Sequence, residues 1–269
     1  MTQIFRIFPA MSGWAGKLFL TPIFYIVNLT TFSLLALRDW KRYTPLLKKD
    51  SYRNLVTQMI FTGVDALPAI ALLAVITGFI FTFRLIAIVD SVGGSDDLVN
   101  ILVNVIGLEI GPLITAFILI SRTGSAIVVD IGNMKLHGEI EGLEYLSINI
   151  NHFFVGPRLL GCAISQLALT VYYTTITMIT GVVISSFMLS AEYLQLLSSL
   201  STAISPTMLL AFVIKNLSFG FMIAAAACYH GLKVVKSPTE VPQQTQQAIT
   251  NSLITIFIID GFMGLALLA

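Results

Sequence analysis

Three charged residues lie inside long apolar stretches of the sequence: Glu109, Lys215 and Asp260. A charge in hydrocarbon is costly, so an ionisable residue in such a stretch marks a candidate functional site and needs a partner. Two carboxylates and one ammonium could pair with one another inside a membrane. Such a cluster suits the binding of a polar group or a proton relay. Nucleophilic catalysis is not indicated, because no nucleophile and base stand together in the sequence.

The stretch around Glu109, residues 107–126, reads GLEIGPLITAFILISRTGSA and has a second unusual feature. Pro112 has no backbone N–H to donate to the carbonyl of Leu108, which predicts a free acceptor beside Glu109 and a kink. Arg122 lies at the other end of the stretch. We interpret it either as an interfacial anchor that snorkels or caps the helix, or as a substrate contact.

The composition predicts an all-α integral membrane protein. Hydrophobic residues make up 56% of the 269 residues and charged residues 11%, with a mean hydropathy of +0.89. A soluble domain of this kind could not cover its surface with polar groups. The net charge of +1 argues against nucleic-acid binding. Cys162 and Cys228 lack metal-site spacing and are expected to be buried free thiols.

Clusters of basic residues indicate how the chain crosses the membrane. Residues 38–53 hold six of the fifteen lysines and arginines, so this segment is predicted to be cytoplasmic. The segment 18–37 is long enough to cross, yet an embedded interfacial helix is equally compatible. Five spans are then expected, at residues 66–83, 98–120, 159–189, 206–229 and 248–269.

This topology places the three charges at one depth. Measured from the outer end of each span, Glu109 lies twelve residues in, and Lys215 and Asp260 nine. At 1.5 Å per residue these depths are about 14 to 18 Å. We therefore expect mutual pairing of the three side chains, facing a cavity, in preference to three unrelated buried pairs.

The longest polar insert, residues 122–157, is predicted to lie in the cytoplasm. Within it, apolar residues at helical spacing alternate with Glu139, Glu141 and Glu144, which predicts a short amphipathic helix. This helix could be a solvated element lying against the membrane or a docking element for a cytoplasmic partner. The stretch 237–247, SPTEVPQQTQQ, is interpreted as a loop or a frayed helix start.

Several motifs in a fixed order resemble those of the MlaE (YrbE-type) permease family. They are Glu109-x-Gly111-Pro112, SRTGSA at 121–126, DIGNMK at 130–135, Pro157-Arg158, KNLSFG at 215–220 and ACYHG at 227–231, with Asp260 in the last span. The resemblance covers residues 45–269. It implies one permease domain over residues 1–269, with an N-terminal interfacial helix and basic segment at 1–53 and a five-helix core at 54–269.

The resemblance also implies a function and partners. The family provides the membrane subunit of ABC transporters that move phospholipids between the inner and outer membranes, which maintains outer-membrane lipid asymmetry. Two permease chains form a homodimer in the bacterial cytoplasmic membrane, each with a cytoplasmic ATPase that binds ATP and Mg²⁺. An MCE-domain protein lies on the periplasmic side, and some members add a STAS-domain subunit. The chain itself is expected to be no enzyme, with no cofactor, metal site or nucleic-acid partner.

The implied site residues fall into three groups. The residues implied to line the substrate cavity are Glu109, Lys215, Asp260, Leu108 and Pro112. The residues implied at the inner boundary of the membrane are Arg122, Gly111 and Gly124. Coupling to the ATPase is implied for a helix at about 132–148, with Asp130, Lys135, Glu139, Glu141 and Glu144.

The sequence departs from the family pattern at Leu108, Ser121 and Asp130, where arginine, glycine and glutamate are common. Two other functions remain open. One is a secondary transporter that uses the buried acids as a relay, and the other is a structural membrane subunit.

Overall fold

The structure, a computed structural model, describes residues 14–43, 48–92, 102–189, 205–235 and 237–268. This part of the chain is helical and contains no strand. The spans predicted at residues 66–83 and 98–120 leave residues 84–97 as an outer connection, and this is wrong for residues 84–92, where the helix continues to Val92. The rest of that connection and the outer connection predicted around residues 190–204 lie outside the described residues.

Five of the helices in the described residues are long and apolar enough to cross a membrane. We call them spans 1 to 5, and they run over Tyr52–Ala87, Val103–Leu136, Asn151–Met188, Pro206–Gly231 and Glu240–Ala266. A helix at Trp14–Tyr43 precedes them, and a short helix at Glu139–Tyr145 separates spans 2 and 3. The predicted all-α membrane fold with five spans is therefore confirmed.

Span 1 begins well before the predicted boundary at residue 66. Its helix comprises Lys48–Gly63, a 3₁₀ turn at Val64–Ala66 and Leu67–Val92. Pro68 falls in the first turn after the 3₁₀ segment, where a missing N–H is tolerated. The proline therefore marks a junction inside the helix instead of its start.

Span 2 is also longer than predicted. It consists of a π-helical segment at Leu102–Ile110, an α-helix at Gly111–Leu119, a second π segment at Ile120–Gly124 and an α-helix at Ser125–Leu136. The prediction that this helix ends at residue 120 is wrong. The hydroxyl of Ser121 donates to the carbonyl of Phe117 at 2.9 Å within the helix, so this polar residue is accommodated without a chain break.

Spans 3 to 5 follow the predicted order with adjusted ends. Span 3 joins a π segment at Asn151–Val155 to a helix at Gly156–Leu189. The helix of span 4 starts at Pro206, where the Ser205 hydroxyl accepts from the Met208 N–H. The helix of span 5 runs over Glu240–Leu268, which makes the glutamine-rich stretch the first turns of a helix.

Span 3 packs closely against its neighbours through glycines on spans 2 and 4. A Cβ atom at Gly220 would lie 2.4 Å from the Cys162 carbonyl oxygen, and one at Gly111 would lie 2.8 Å from Thr174 Cγ2. Only glycine permits such close approach of two helices. This packing fixes spans 2 and 4 against span 3 at the depth where their charged residues lie.

The N-terminal helix packs against the start of span 3 and the end of span 4. Its buried residues Leu29, Ser33 and Ala36 form one stripe, whereas Leu34 and Leu35 on the other side are exposed. A stripe buried against protein beside an exposed apolar face suits a helix embedded in the bilayer.

The segments predicted to be cytoplasmic meet at one end of the bundle. Asn151 Nδ2 donates to Asp39 Oδ2 at 3.0 Å, which joins the basic segment to the start of span 3. Lys135 donates through Nζ to the carbonyl of Leu232, which joins the end of span 2 to the end of span 4. The contacts therefore bring these segments to one end of the bundle, which we call the inner end, and its cytoplasmic location stays a prediction.

Candidate functional site: a buried charge cluster

The three charged residues of the apolar stretches meet at one point. Lys215 Nζ of span 4 lies 2.6 Å from Glu109 Oε2 of span 2 and 2.6 Å from Asp260 Oδ1 of span 5. The Lys215 side chain is 2% exposed. The structure thus shows the mutual pairing expected from their common depth, and we call these three residues the charge cluster.

The backbone of span 2 supplies a third oxygen to Lys215. Nζ donates to the carbonyl of Leu108 at 2.8 Å, the carbonyl that Pro112 cannot use because it has no N–H. Within the described residues, Asp260 Oδ1 has no hydrogen bond of good geometry, so its contact is an ion pair. Three oxygen atoms therefore surround an ammonium group that has three N–H donors.

The charge cluster is open on one side. Glu109 is 40% exposed, compared with 16% for Asp260, and Leu108 is partly exposed beside it while Pro112 is buried. The carboxylate of Glu109 is therefore the charged group that an incoming molecule would meet. That these residues line a substrate cavity remains a prediction.

A buried amide holds the same level of the bundle together. Gln166 of span 3 is fully buried, and its Nε2 donates to Thr115 Oγ1 at 3.0 Å and to the Pro112 carbonyl at 3.2 Å. The same Nε2 lies 3.5 Å from Asn216 Oδ1, next to Lys215. Gln166 thus joins the segments that carry Glu109 and Lys215.

Sequence reasoning missed Gln166, although a signal was present. Gln166, Thr170, Thr174 and Thr177 recur at helical spacing through the uncharged span 3, and all are buried. A polar stripe along one face of such a span indicates a hydrogen-bonded contact with neighbouring helices.

Arg122 pairs with a residue that the sequence did not suggest. Its Nη2 lies 3.2 Å from Asp65 Oδ2 of span 1, and its guanidinium lies 6.0 Å from the centroid of the Phe61 ring. Because the helix continues past Arg122, its interpretation as a helix cap is wrong. Gly124 is buried, and a Cβ atom there would make an ordinary contact with Ile223 at 3.5 Å.

The predicted coupling residues divide into two sets. Asp130 forms an ion pair with Arg158 at the start of span 3, and Lys135 binds the Leu232 carbonyl, so both hold the inner end of the bundle together. The glutamates at 139, 141 and 144 are exposed on the short helix. This second set can face a partner, and so can Asp130, whose side chain is 58% exposed.

The short helix is anchored by one side and exposed on the other. Ile140 is buried, and Gly138 supplies the left-handed turn before the helix with a φ of 72°. Tyr145 is 90% exposed and Leu146 is 72% exposed.

The two cysteines, Cys162 and Cys228, are buried free thiols as predicted.

Several curated proteins are similar to this chain. A probable ABC transporter permease protein of Synechocystis sp. is 27% identical over 212 residues, which cover 79% of this chain and 81% of that protein. A probable ABC transporter permease protein of Rickettsia prowazekii is 24% identical, over 79% of this chain and 83% of its own length. The chloroplastic protein TRIGALACTOSYLDIACYLGLYCEROL 1 of Arabidopsis thaliana is 24% identical, over 79% of this chain and 61% of that protein.

The sequence also matches the family described as Permease MlaE over residues 55–266. This match includes all five spans from Leu55 onward and every member of the charge cluster. The chain is a multi-pass membrane protein that belongs to the Permease MlaE family.

Proposed function

We propose that the protein is the permease subunit of an ABC transporter that moves phospholipids between the two membranes of a bacterial envelope. The observation that carries the proposal is the buried Lys215 with carboxylates from two other spans at 2.6 Å. Such a cluster is costly in hydrocarbon and suits a site that handles a polar headgroup. Membership of the Permease MlaE family and similarity to ABC transporter permeases support it.

In the proposed assembly, two copies of the chain sit in the cytoplasmic membrane with their charge clusters facing a shared cavity. The partial exposure of Glu109 in the single chain supports this arrangement. Apolar walls of the cavity take the acyl tails. An MCE-domain protein on the periplasmic side receives or delivers the lipid, and a STAS-domain subunit is a further partner to test.

The energy comes from a partner ATPase that docks on the short helix Glu139–Tyr145. Exposed acids and the exposed Tyr145 and Leu146 offer charge and apolar area on one surface. Nucleotide binding then biases two states of the permease, one with the cavity open and one with it collapsed. Asp130 and Lys135 transmit this bias because they tie the ends of spans 2, 3 and 4 together.

Reconstitution in liposomes tests the proposal. The permease, its ATPase and its MCE partner are placed in vesicles, and the transfer of fluorescent phospholipid is followed with and without ATP. Glu109→Ala combined with Lys215→Ala should abolish transfer, whereas Asp39→Asn, which removes an acid away from the cluster, should not. Unchanged transfer by the double variant would remove the site assignment, and transfer that needs no ATPase would favour a secondary transporter.

The docking surface has its own test. Leu146→Asp is expected to weaken co-purification of the ATPase at least about tenfold, because it places a charge in a contact that excludes water. Phe187→Asp is the matched control, since Phe187 is 85% exposed at the opposite end of span 3. Equal losses in the two variants would contradict docking on the short helix.

A further inference from the structure

We propose that the charge cluster selects phospholipids whose headgroup carries an ammonium group, and that Glu109 recognises this group. The inference rests on the proposed lipid transport and adds the headgroup class that the site accepts. A zwitterionic headgroup has both a phosphate and an ammonium, whereas an anionic one such as a glycerol headgroup has only the phosphate. A site that binds the ammonium group therefore needs a free negative charge, whereas a site that binds only a phosphate needs a free positive charge.

Lys215 is not available to a phosphate. Its Nζ donates to Glu109 Oε2 at 2.6 Å and to the Leu108 carbonyl at 2.8 Å, and it forms an ion pair with Asp260 Oδ1 at 2.6 Å. Its side chain is 2% exposed. The obvious cation of the site is thus already committed to the protein's own oxygen atoms.

The ionised cluster carries a surplus negative charge. Two carboxylates share one lysine, and within the described residues neither carboxylate has a second cationic partner. Arg122, on the same helix as Glu109, is thirteen positions away, or about 20 Å along the helix, and pairs with Asp65. A carboxylate whose charge is not fully compensated favours a cation as its partner.

The surplus charge is accessible on the Glu109 side. Glu109 contacts Lys215 through Oε2 and is 40% exposed, which leaves its carboxylate open to a donor from outside the chain. An ammonium headgroup supplies both the charge and the N–H donors that a carboxylate binds best. An anionic headgroup would instead meet a like charge, and in the proposed dimer it would meet two of them.

Lipid competition in the complete reconstituted transporter tests the inference. Donor vesicles contain equal amounts of phosphatidylethanolamine and phosphatidylglycerol with the same acyl chains, each labelled at the chain, and ATP-dependent transfer of both is measured. The wild type should transfer phosphatidylethanolamine at least about fivefold faster, a modest effect for a unit charge within a few ångströms. The ratio is taken within each variant, so a uniform change in rate does not alter it.

Two substitutions remove the surplus charge from different spans. Glu109→Gln and Asp260→Asn each leave one carboxylate for Lys215, and each should bring the ratio towards one. Asp39→Asn, which neutralises an acid at the inner end of the bundle, should keep the wild-type ratio. Because either variant suffices, loss of folding in one leaves the other to decide, and the wild-type ratio stands by itself.

The outcomes separate the two proposals. Equal transfer of both lipids by the wild type, or an unchanged ratio in the neutralised variants, would overturn the headgroup inference and leave lipid transport intact. Equal transfer is also the result expected if a proton, and not a headgroup, compensates the surplus charge. No ATP-dependent transfer of either lipid would remove the proposed function and this inference together.

Discussion

Replacing Lys215 with methionine should destabilise the protein more than any other single change in the charge cluster. The substitution keeps the size of the side chain and removes the only cation that contacts Glu109 and Asp260 in the described part of the chain. Breaking a buried ion pair by removing one partner costs about 3–5 kcal/mol, because a charge remains uncompensated. The larger share falls on Asp260, which is 16% exposed, since solvent screens the more exposed Glu109.

A neutral version of the cluster separates stability from function. In the triple variant Glu109→Gln, Asp260→Asn, Lys215→Met no charge is left unpaired, and the remaining cost is that of neutral polar groups, which is smaller than the cost of an unpaired buried charge. The Leu108 carbonyl still loses its donor, at about 1 kcal/mol. We therefore expect the triple variant to recover most of the stability lost by Lys215→Met and to remain inactive in lipid transfer.

Thermal unfolding of the detergent-solubilised protein, followed by size exclusion at each temperature, measures both variants against the wild type. The expected order is wild type, then the triple variant, then Lys215→Met. If Lys215→Met melts with the wild type, or if the triple variant is no more stable than the single one, then the buried charges do not stabilise each other as the distances indicate.

The same unfolding assay checks three further changes. Gly220→Ala should lower the free energy of unfolding by about 1–3 kcal/mol, because the added Cβ overpacks against the Cys162 carbonyl. Gly261→Ala, with nothing within 4 Å of its Cβ position, should be neutral or stabilising by up to about 1 kcal/mol. Equal effects of the two substitutions would contradict the close packing of spans 3 and 4. Arg122→Gln should change stability by only about 0–1 kcal/mol, because its pair with Asp65 is partly exposed, and a loss above about 2 kcal/mol would show a larger role. Gln166→Leu should cost about 1–3 kcal/mol, since the buried Pro112 carbonyl loses a donor, and wild-type stability would contradict the bridging role.

The sequence was sufficient to predict the class of fold and the meeting of the three charges. Long apolar runs broken by basic segments allow few arrangements of a helical membrane protein. Depth along each span then follows from residue counting, because an α-helix rises by a constant amount per residue. Contact between Glu109, Lys215 and Asp260 needed only the added assumption that buried charges seek partners.

Hydropathy and residue counting do not predict the ends of the helices or the partners of Arg122 and Gln166. Polar residues such as Asp65 and Arg122 resemble span boundaries in a hydropathy pattern, yet they pair with each other and the helices continue past them. Which side chains meet between helices depends on the rotation of each helix about its axis. That rotation is set here by close contacts at glycines such as Gly220, and the pattern of one sequence does not reveal which glycines make them.

Pro112 affects the charge cluster because it removes a hydrogen-bond donor from span 2. Without an N–H at position 112, the Leu108 carbonyl forms no α-helical hydrogen bond to that residue. Lys215, 107 positions away in the sequence, can then donate to this carbonyl. Any residue with an N–H at position 112 would compete for that acceptor and weaken a long-range contact through a purely local bond. The missing N–H of one residue thus leaves a backbone acceptor available for a contact between two separate spans.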